Sequence, residues 1–479
     1  GHAFGVCVHG PHPSAGRSFL VANLCMLAVM TAAVVICSFV ASLIPGRPVP
    51  EVVFFVVAGV VLGPGCLGVV NATPGLDLVG RLGMGLLFLM AGYELDLREL
   101  TGSMGRHAAL CWAVSFSAAL LLTPALGLGL DQTGVAAFSI ALTTTAYGTL
   151  VPIMRDRELG GTSVGEVIES YGAMGEILPV VAMSVLLSPS RSLGANVAVL
   201  VGFVAFCVFV ASRGRWAAEM GSRLSRFLHE NAESSSQPTL RAVVALLCAL
   251  LAIAAVLDLD AVLAAFAAGF ILRHVTPDEH GHRLMDKVEA LGNGLFVPVF
   301  FVYSGIGIEL AAVGERPGLL VGFVALLLLI RALPLLASLA LAPETRTMPL
   351  GEKISASLYC TMALPLIVAL TEAAAACGAM DEQMASVLVC AGALTVLVIP
   401  IITSLSVRAV AAHPVDAVHE VMEHPHDLRE IVHEHHVHAH EVAEELREER
   451  RHLHEEGVQL SSADFLARRA ELRRRHRRR

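Results

Sequence analysis

Glu176 sits in the middle of a long apolar stretch that runs from Thr162 to Ser188. An ionised carboxyl at that depth of a membrane helix is costly, so an intramembrane glutamate marks a functional position. Burial disfavours the charged form of a carboxyl. Such an acid can hold a proton in one state and a cation in the other, which is the minimum chemistry for exchanging ions against protons. Glu169 lies seven residues earlier, two helical turns, and is expected on the same face. Glu166 is nearer the cytoplasmic end of the stretch, and the two together are expected to line a funnel leading in from the cytoplasm. Arg331 lies in mid-stretch in LLVGFVALLLLIRALPLLASLAL, where a guanidinium needs a partner. Glu94, Asp96, Glu309 and Glu372 fall near the ends of apolar stretches, where exposure is cheap. Glu176 is the deepest acid and is therefore the expected partner of Arg331, directly or across water.

A second group of residues offers neutral oxygens. Thr143, Thr144, Thr145, Tyr147, Gly148 and Thr149 interrupt an apolar stretch, and Pro152 follows them. Proline removes a backbone donor and disfavours helix just before it. Carbonyls freed at such a break, with the threonine hydroxyls, can coordinate a dehydrated alkali cation. Irregular backbone at membrane depth is tolerated where it is buried in protein or lines a cavity. A second interruption of the same kind surrounds Thr361 and Pro365. A plainer reading is also open, because threonine often bonds back to its own helix.

Histidines crowd the C-terminal tail, with His433, His435, His436, His438 and His440 in one run. That run could bind Zn or Ni, or sense pH near neutrality. Its spacing matches no defined zinc module, and a solvated polar helix is the plainer account. The terminal RRAELRRRHRRR could hold the tail against anionic lipid. There is no GxxxxGK[ST] and no GxGxxG after a strand, so neither ATP nor a dinucleotide is expected, and no cofactor at all. The ten cysteines lie mostly in apolar stretches with no CxxC, and read as small packing residues.

The elements that position these groups follow from composition. The chain is 55% apolar and only 16% charged, too little charge for a soluble protein of 479 residues. Mean hydropathy is +0.69. Thirteen apolar stretches are expected to cross a bilayer, near 19–45, 51–71, 78–95, 107–129, 133–153, 162–187, 194–212, 239–257, 259–273, 285–310, 317–341, 350–371 and 383–407, of which 259–273 is short. Arginine and lysine fall on alternate connections. One set holds Arg98, Arg106, Arg155, Arg157, Arg213, Arg273, Arg283, Lys287, Arg346 and Lys353, while the other holds only Arg17, Arg191 and Arg316. The positive-inside rule then puts the N-terminus outside and the tail in the cytoplasm of a multi-pass plasma-membrane protein. The net charge of −9 says little about partners, because the charges are segregated.

The predicted fold is all-α and polytopic, with a duplicated unit. GLLFLMAGYELDL at 85–97 parallels GLFVPVFFVYSGIGIEL at 294–310, VVAGVVLGP at 56–64 parallels AFAAGFILR at 265–273, and TTTAYGTLVP at 143–152 parallels SLYCTMALP at 357–365. The matches fall in the same order, offset by seven spans. An odd offset gives the halves opposite topology, the mark of inverted-repeat transporters whose broken helices cross at the binding site. The expected organisation is a stub at 1–18, which lacks an initiating Met and a basic n-region and so does not read as a signal peptide. A membrane domain follows at 19–412, with repeats near 19–187 and 239–410 and a linker at 188–238, and then a soluble, partly helical tail at 413–479.

AGVVLGPGCLG, FLMAGYELDL and the LGNGLFVPVFF–SGIGIEL run are the segments by which the chain resembles the cation/proton antiporter superfamily, particularly its bacterial sodium/hydrogen exchanger and potassium-efflux branch. The resemblance covers about 19–410. It implies thirteen spans, a dimerisation part, a mobile core and an elevator-like cycle, and hence a homodimer. The family carries an Asn-Asp or Asp-Asp pair on its sixth span, where this chain has Gly175-Glu176. By resemblance the single acid implies electroneutral one-for-one exchange, and Arg331 matches the family's basic residue on the eleventh span. The expected function is therefore exchange of Na⁺ or K⁺ against H⁺. The expected partners are monovalent cations, protons and the bilayer, without nucleic acid and without enzyme chemistry. A ligand- or pH-gated potassium channel on the same scaffold is the alternative, and a non-transporting sensor with a metal-binding tail is a third reading.

Overall fold

The computed structural model describes residues 13–43, 49–95, 101–157, 159–187, 193–219, 238–257, 259–276 and 278–411. The tail histidines His433, His435, His436, His438 and His440 lie outside the described residues, as do Asp96 and the linker residues 188–192 and 220–237. Among the described residues every regular element is helical. That follows from composition, since a segment in hydrocarbon must satisfy its backbone groups internally.

The first half comprises α1 (Pro13–Leu43), α2 (Glu51–Leu62), α3 (Pro74–Glu94), α4 (Ser103–Leu122), α5 (Gln132–Thr143) and α6 (Tyr147–Asp156). Then α7 (Ser163–Val167) passes through a π turn at Ile168–Gly172 into α8 (Ala173–Leu186). Helix α9 (Leu193–Glu219) reaches into the linker. The second half comprises α10 (Pro238–Val256), α11 (Ala261–Val275) and α12 (Asp278–Leu291), which leads through a π turn at Gly292–Phe296 into α13 (Val297–Ile306). After α14 (Leu310–Glu315), α15 (Pro317–Leu327) leads through a third π turn, Leu328–Ala332, into α16 (Leu333–Leu341). Helices α17 (Leu350–Tyr359), α18 (Leu364–Ala376) and α19 (Glu382–Ala411) complete the described chain.

Among the described residues nine helical segments are long and apolar enough to cross a membrane, and three shorter apolar helices, Glu51–Leu62, Gly194–Val210 and Ala261–Val275, accompany them. The protein is a multi-pass membrane protein. Helix α1 begins at Pro13, so helix already starts within the segment read from sequence as a stub.

Glycines bring two helix pairs into backbone contact. A Cβ at Gly92 of α3 would overlap the Phe266 carbonyl of α11, and one at Gly269 of α11 would overlap the Leu89 carbonyl of α3. In the same way Gly59 of α2 lies on the Val302 carbonyl of α13, and Gly305 of α13 lies on the Val56 carbonyl of α2. Small residues allow membrane helices this approach. All four glycines belong to the segments whose likeness suggests a duplication. Through them α2 and α3 of the first half pack on α13 and α11 of the second.

Candidate functional site

Two helices break beside each other. The first stops at Thr143 and resumes at Tyr147, and the second stops at Tyr359 and resumes at Leu364. At the first break Thr144 turns the chain extended, with φ −74° and ψ 151°. The hydroxyls of Thr143 and Thr144 donate back to carbonyls of their own helix, Ser139 and Ile140 for the one and Ala141 for the other. Pro365 stands at the start of the resumed α18, where its missing N–H has no helical partner to lose. Pro152 does not make the first break. It lies within α6, downstream of a break that the Thr-rich run has already made.

The breaks touch. The Ala146 N–H donates to the Met362 carbonyl at 2.7 Å, and the Thr145 hydroxyl donates to the Cys360 carbonyl. Thr361 lies at the second break, its hydroxyl bonded back to the Leu358 carbonyl at 2.6 Å. Helix α8 closes against the same place, for the Thr145 N–H donates to the Gly175 carbonyl at 2.8 Å. The structure thus brings together Thr143, Thr144, Thr145, Thr361, Pro365 and the residue before Glu176.

Glu176 is 2% exposed. Its carboxylate accepts the Gly148 N–H at 3.2 Å and is also met by the Tyr147 N–H. These are the first N–H groups of α6, which have no helical acceptor of their own. The partial positive end of a helix favours an anion there. Glu176 is therefore a carboxylate held at the N-terminus of a resumed half-helix. Gly148 itself packs on Ala91 of α3, which covers the site.

Arg331 is 1% exposed, and it takes the opposite electrostatic setting. Its Nε donates to Thr145 Oγ1 at 3.1 Å and to the Cys360 carbonyl at 3.4 Å. Its Nη2 donates to Thr145 Oγ1 at 2.8 Å and to the Tyr171 carbonyl at 2.9 Å. The Cys360 carbonyl belongs to the residue that caps the C-terminal end of α17, so this contact has the favourable sense of the helix dipole. The expected ion pair with Glu176 is not made among the described residues. Successive residues on a helix point about 100° apart. Arg331 lies against Gly175, so Glu176 is turned away from it towards α6.

The π turn at Ile168–Gly172 corrects a second expectation. A π turn adds a residue to the helical register, so a spacing of seven no longer returns Glu169 to the face of Glu176. Glu166 is exposed and lies before that turn, and Glu169 is half-buried at its second residue. The acid whose charge reaches Glu176 is instead Glu94, half-buried at the C-terminal end of α3. Arg155, Arg273 and Glu289 in turn act on Glu94, and Arg155 pairs with Glu289 at 3.6 Å. Sequence reading set Glu94 aside as a span-end residue. The signal that could have found it is its place in FLMAGYELDL, one of the segments that carry the resemblance. Among the described residues no group of His, Cys, Asp and Glu could hold a metal ion.

A buried acid and a buried arginine, sorted to opposite ends of two broken membrane helices that meet, define a secondary transporter of the broken-helix class. The chain belongs to the sodium/hydrogen exchanger family, whose transmembrane family model matches residues 29–409. Cation/H⁺ antiporter 18 of Arabidopsis thaliana is 26% identical over 57% of this chain and 36% of its own length. From Bacillus cereus, the probable Na⁺/H⁺ antiporter GerT is 24% identical over 56% of this chain and 70% of its own length. The Na⁺/H⁺-K⁺ antiporter GerN of the same organism is 26% identical over 56% and 67%. The match thus spans little more than a third of the plant relative. The structure of the sodium proton antiporter MjNhaP1 from Methanocaldococcus jannaschii superposes with a TM-score of 0.56 at 17% identity, covering 80% of this chain and 97% of that one. That likeness is one of fold.

Proposed function

We propose that this protein is a secondary antiporter that exchanges Na⁺ or K⁺ for H⁺, one for one and without net charge movement, with Glu176 as the shared site. The observation that carries the reading is the setting of Glu176, a buried carboxylate at the N–H end of a half-helix formed by a break within a candidate membrane span. In the proton-loaded state the carboxyl is neutral and the α6 N–H groups meet an uncharged oxygen. In the deprotonated state the same oxygens can take a dehydrated cation, with backbone oxygens of Thr143, Thr144 and Thr145 at the break as its further ligands; the Thr145 hydroxyl itself is held by Arg331. Arg331 keeps its charge in both states, since a guanidinium does not release its proton in proteins. One ionisable group then binds one ion or one proton, which gives electroneutral exchange. The names of the relatives, Na⁺/H⁺ and Na⁺/H⁺-K⁺ antiporters, favour monovalent cations as cargo. The same reading places the protein in the plasma membrane as a dimer, with the arginine-rich connections and the tail in the cytoplasm.

The test is proton flux in proteoliposomes of the purified protein, with gradients of Na⁺, K⁺ and Li⁺ imposed in turn. The expected result is saturable proton movement against one or more of these cations, indifferent to an imposed membrane potential. Unitary currents without proton coupling would instead establish a channel.

A further inference from the structure

Position 175 is the point at which Glu176, Arg331 and the first helix break are tied together. A Cβ built there would overlap Arg331 Nη2, and would lie 2.6 Å from Thr145 Oγ1 and 2.9 Å from Thr145 Cβ. The threatened nitrogen is no idle end of a flexible side chain. It donates both to Thr145 Oγ1 and to the Tyr171 carbonyl, in a pocket that leaves the arginine 1% exposed. A buried charge moved off its acceptors leaves the charge and the acceptors unsatisfied together. The carbonyl of residue 175 also accepts the Thr145 N–H at 2.8 Å. Residue 175 therefore holds the break through its backbone, and by carrying no side chain it leaves room for the guanidinium that clamps the same break. Two and three residues beyond Thr145 come the Tyr147 and Gly148 N–H groups that meet Glu176. Any shift of the break is passed to the carboxylate within one helical turn.

We infer that Gly175 is a positioning residue for exchange: its bare Cα seats the Arg331 guanidinium against the Glu176 helix, and that guanidinium holds the 144–146 break in register with the Glu176 carboxylate. Arg331 thus acts on Glu176 through position 175 and Thr145, and not as its ion-pair partner. Glycine at 175 is required by Arg331 more than by the backbone, because Gly175 lies within the helix Ala173–Leu186 and is not among the glycines of positive φ. The pH readout of this inference rests on Glu176 being the exchange site, whereas the coupling between 175 and 331 does not.

The experiment compares Gly175→Ala, Arg331→Ala and the double variant. It reads the pH and cation dependence of exchange in proteoliposomes and the thermal unfolding of each purified protein. Gly175→Ala and Arg331→Ala are each expected to lower the maximal exchange rate and to move half-maximal exchange to higher pH, because a carboxylate that loses its N–H donors is harder to deprotonate. The two changes are expected to be non-additive by about tenfold, since residues in contact couple. With the guanidinium gone the Thr145 side chain keeps only its bond to the Cys360 carbonyl and can turn from the new methyl group, so the double variant should behave as Arg331→Ala does. Additive losses, or Gly175→Ala with the wild-type pH profile, would overturn the inference. Should Gly175→Ala fail to fold, the pair Arg331→Ala and Gly175→Ala/Arg331→Ala decides: equal melting supports the inference, and further loss in the double variant overturns it. Melting requires no transport, so a Glu176→Gln variant that still exchanges would refute the proposed site without touching the 175–331 coupling.

Discussion

Glu176 and Arg331 are both buried, yet neither takes its hydrogen-bond partners from the other. The carboxylate takes N–H groups at the start of α6, and the guanidinium takes the Thr145 hydroxyl and the Cys360 and Tyr171 carbonyls. This sorting leaves the carboxylate free to change charge while the arginine stays satisfied. Glu176→Gln should abolish exchange with insertion and melting unchanged, because an amide fills the same volume, still accepts the Gly148 N–H and cannot cycle a proton. Proton-coupled flux in that variant at the wild-type rate would remove Glu176 from the mechanism. Glu176→Asp should retain part of the rate with altered cation preference, its carboxylate drawn back from α6 by one methylene. Arg331→Ala takes the guanidinium donors from the buried Thr145 hydroxyl and the Tyr171 carbonyl, while the Cys360 carbonyl keeps the Thr145 hydroxyl; a buried acceptor left short costs about 1–3 kcal/mol. Its melting temperature should fall, and Arg331→Lys should restore only part of it, since an ammonium lacks the planar fork. The two charges were legible in the sequence because each stands alone in an apolar stretch. Their partners were not, because neutral carbonyls leave no trace in residue type, and the one-residue step from Gly175 to Glu176 decides which of them faces Arg331.

Helix α6 joins the site to the surface. Its first turn holds Glu176, and its last turn carries Arg155, paired with Glu289 of α12 at 3.6 Å, with Glu94 and Arg273 in the same cluster. Ten residues of helix separate the two ends by about 14 Å. An exposed pair of this kind contributes about 0–1 kcal/mol, enough to bias two conformations by a few-fold and no more. Arg155→Glu would set a third acid beside Glu94 and Glu289, with Arg273 the remaining cation of that group. Exchange should change a few-fold in rate or in cation affinity, and Glu289→Arg on that background should bring it back. If the swapped pair is no better than the single reversal, the contact has no part in the cycle. Both breaks in the helices were legible, from TTTAYGT and from Thr361 with Pro365, and the structure joins them at Ala146 and Met362. The position of the first break was less so, because Pro152 drew attention downstream of residues that had already left the helix. The π turns escaped reading altogether. A turn with one extra residue needs no special residue type, yet it moved Glu169 off the face of Glu176.

At the scale of the whole molecule the all-helical, multi-pass architecture was open to reading from hydropathy alone, since the bilayer admits few alternatives. The packing of the halves was half-visible. The repeated Gly-containing segments stood out, but only the structure shows that Gly92 meets α11 and Gly305 meets α2. The tail is the part to which neither the fold nor the site refers. The family model ends at residue 409, before the composition turns to Glu, Arg and His at His413. Every group assigned here to exchange lies within the described helices and the breaks between them. Removal of 413–479 should therefore leave the maximal exchange rate within about two-fold, in line with surface changes that touch no buried contact. What should change is the response to conditions. Histidine titrates around pH 6.5, so a chain whose tail is a cytoplasmic regulator should lose a pH or divalent-metal dependence on removal of 413–479 while keeping the dependence set by Glu176. The comparison is flux against pH, with and without Zn²⁺ or Ni²⁺, for both lengths of chain reconstituted in one orientation. Identical curves would strip the tail of a regulatory role, and a truncated protein that inserts and melts normally yet exchanges nothing would make the tail part of the transport machinery itself.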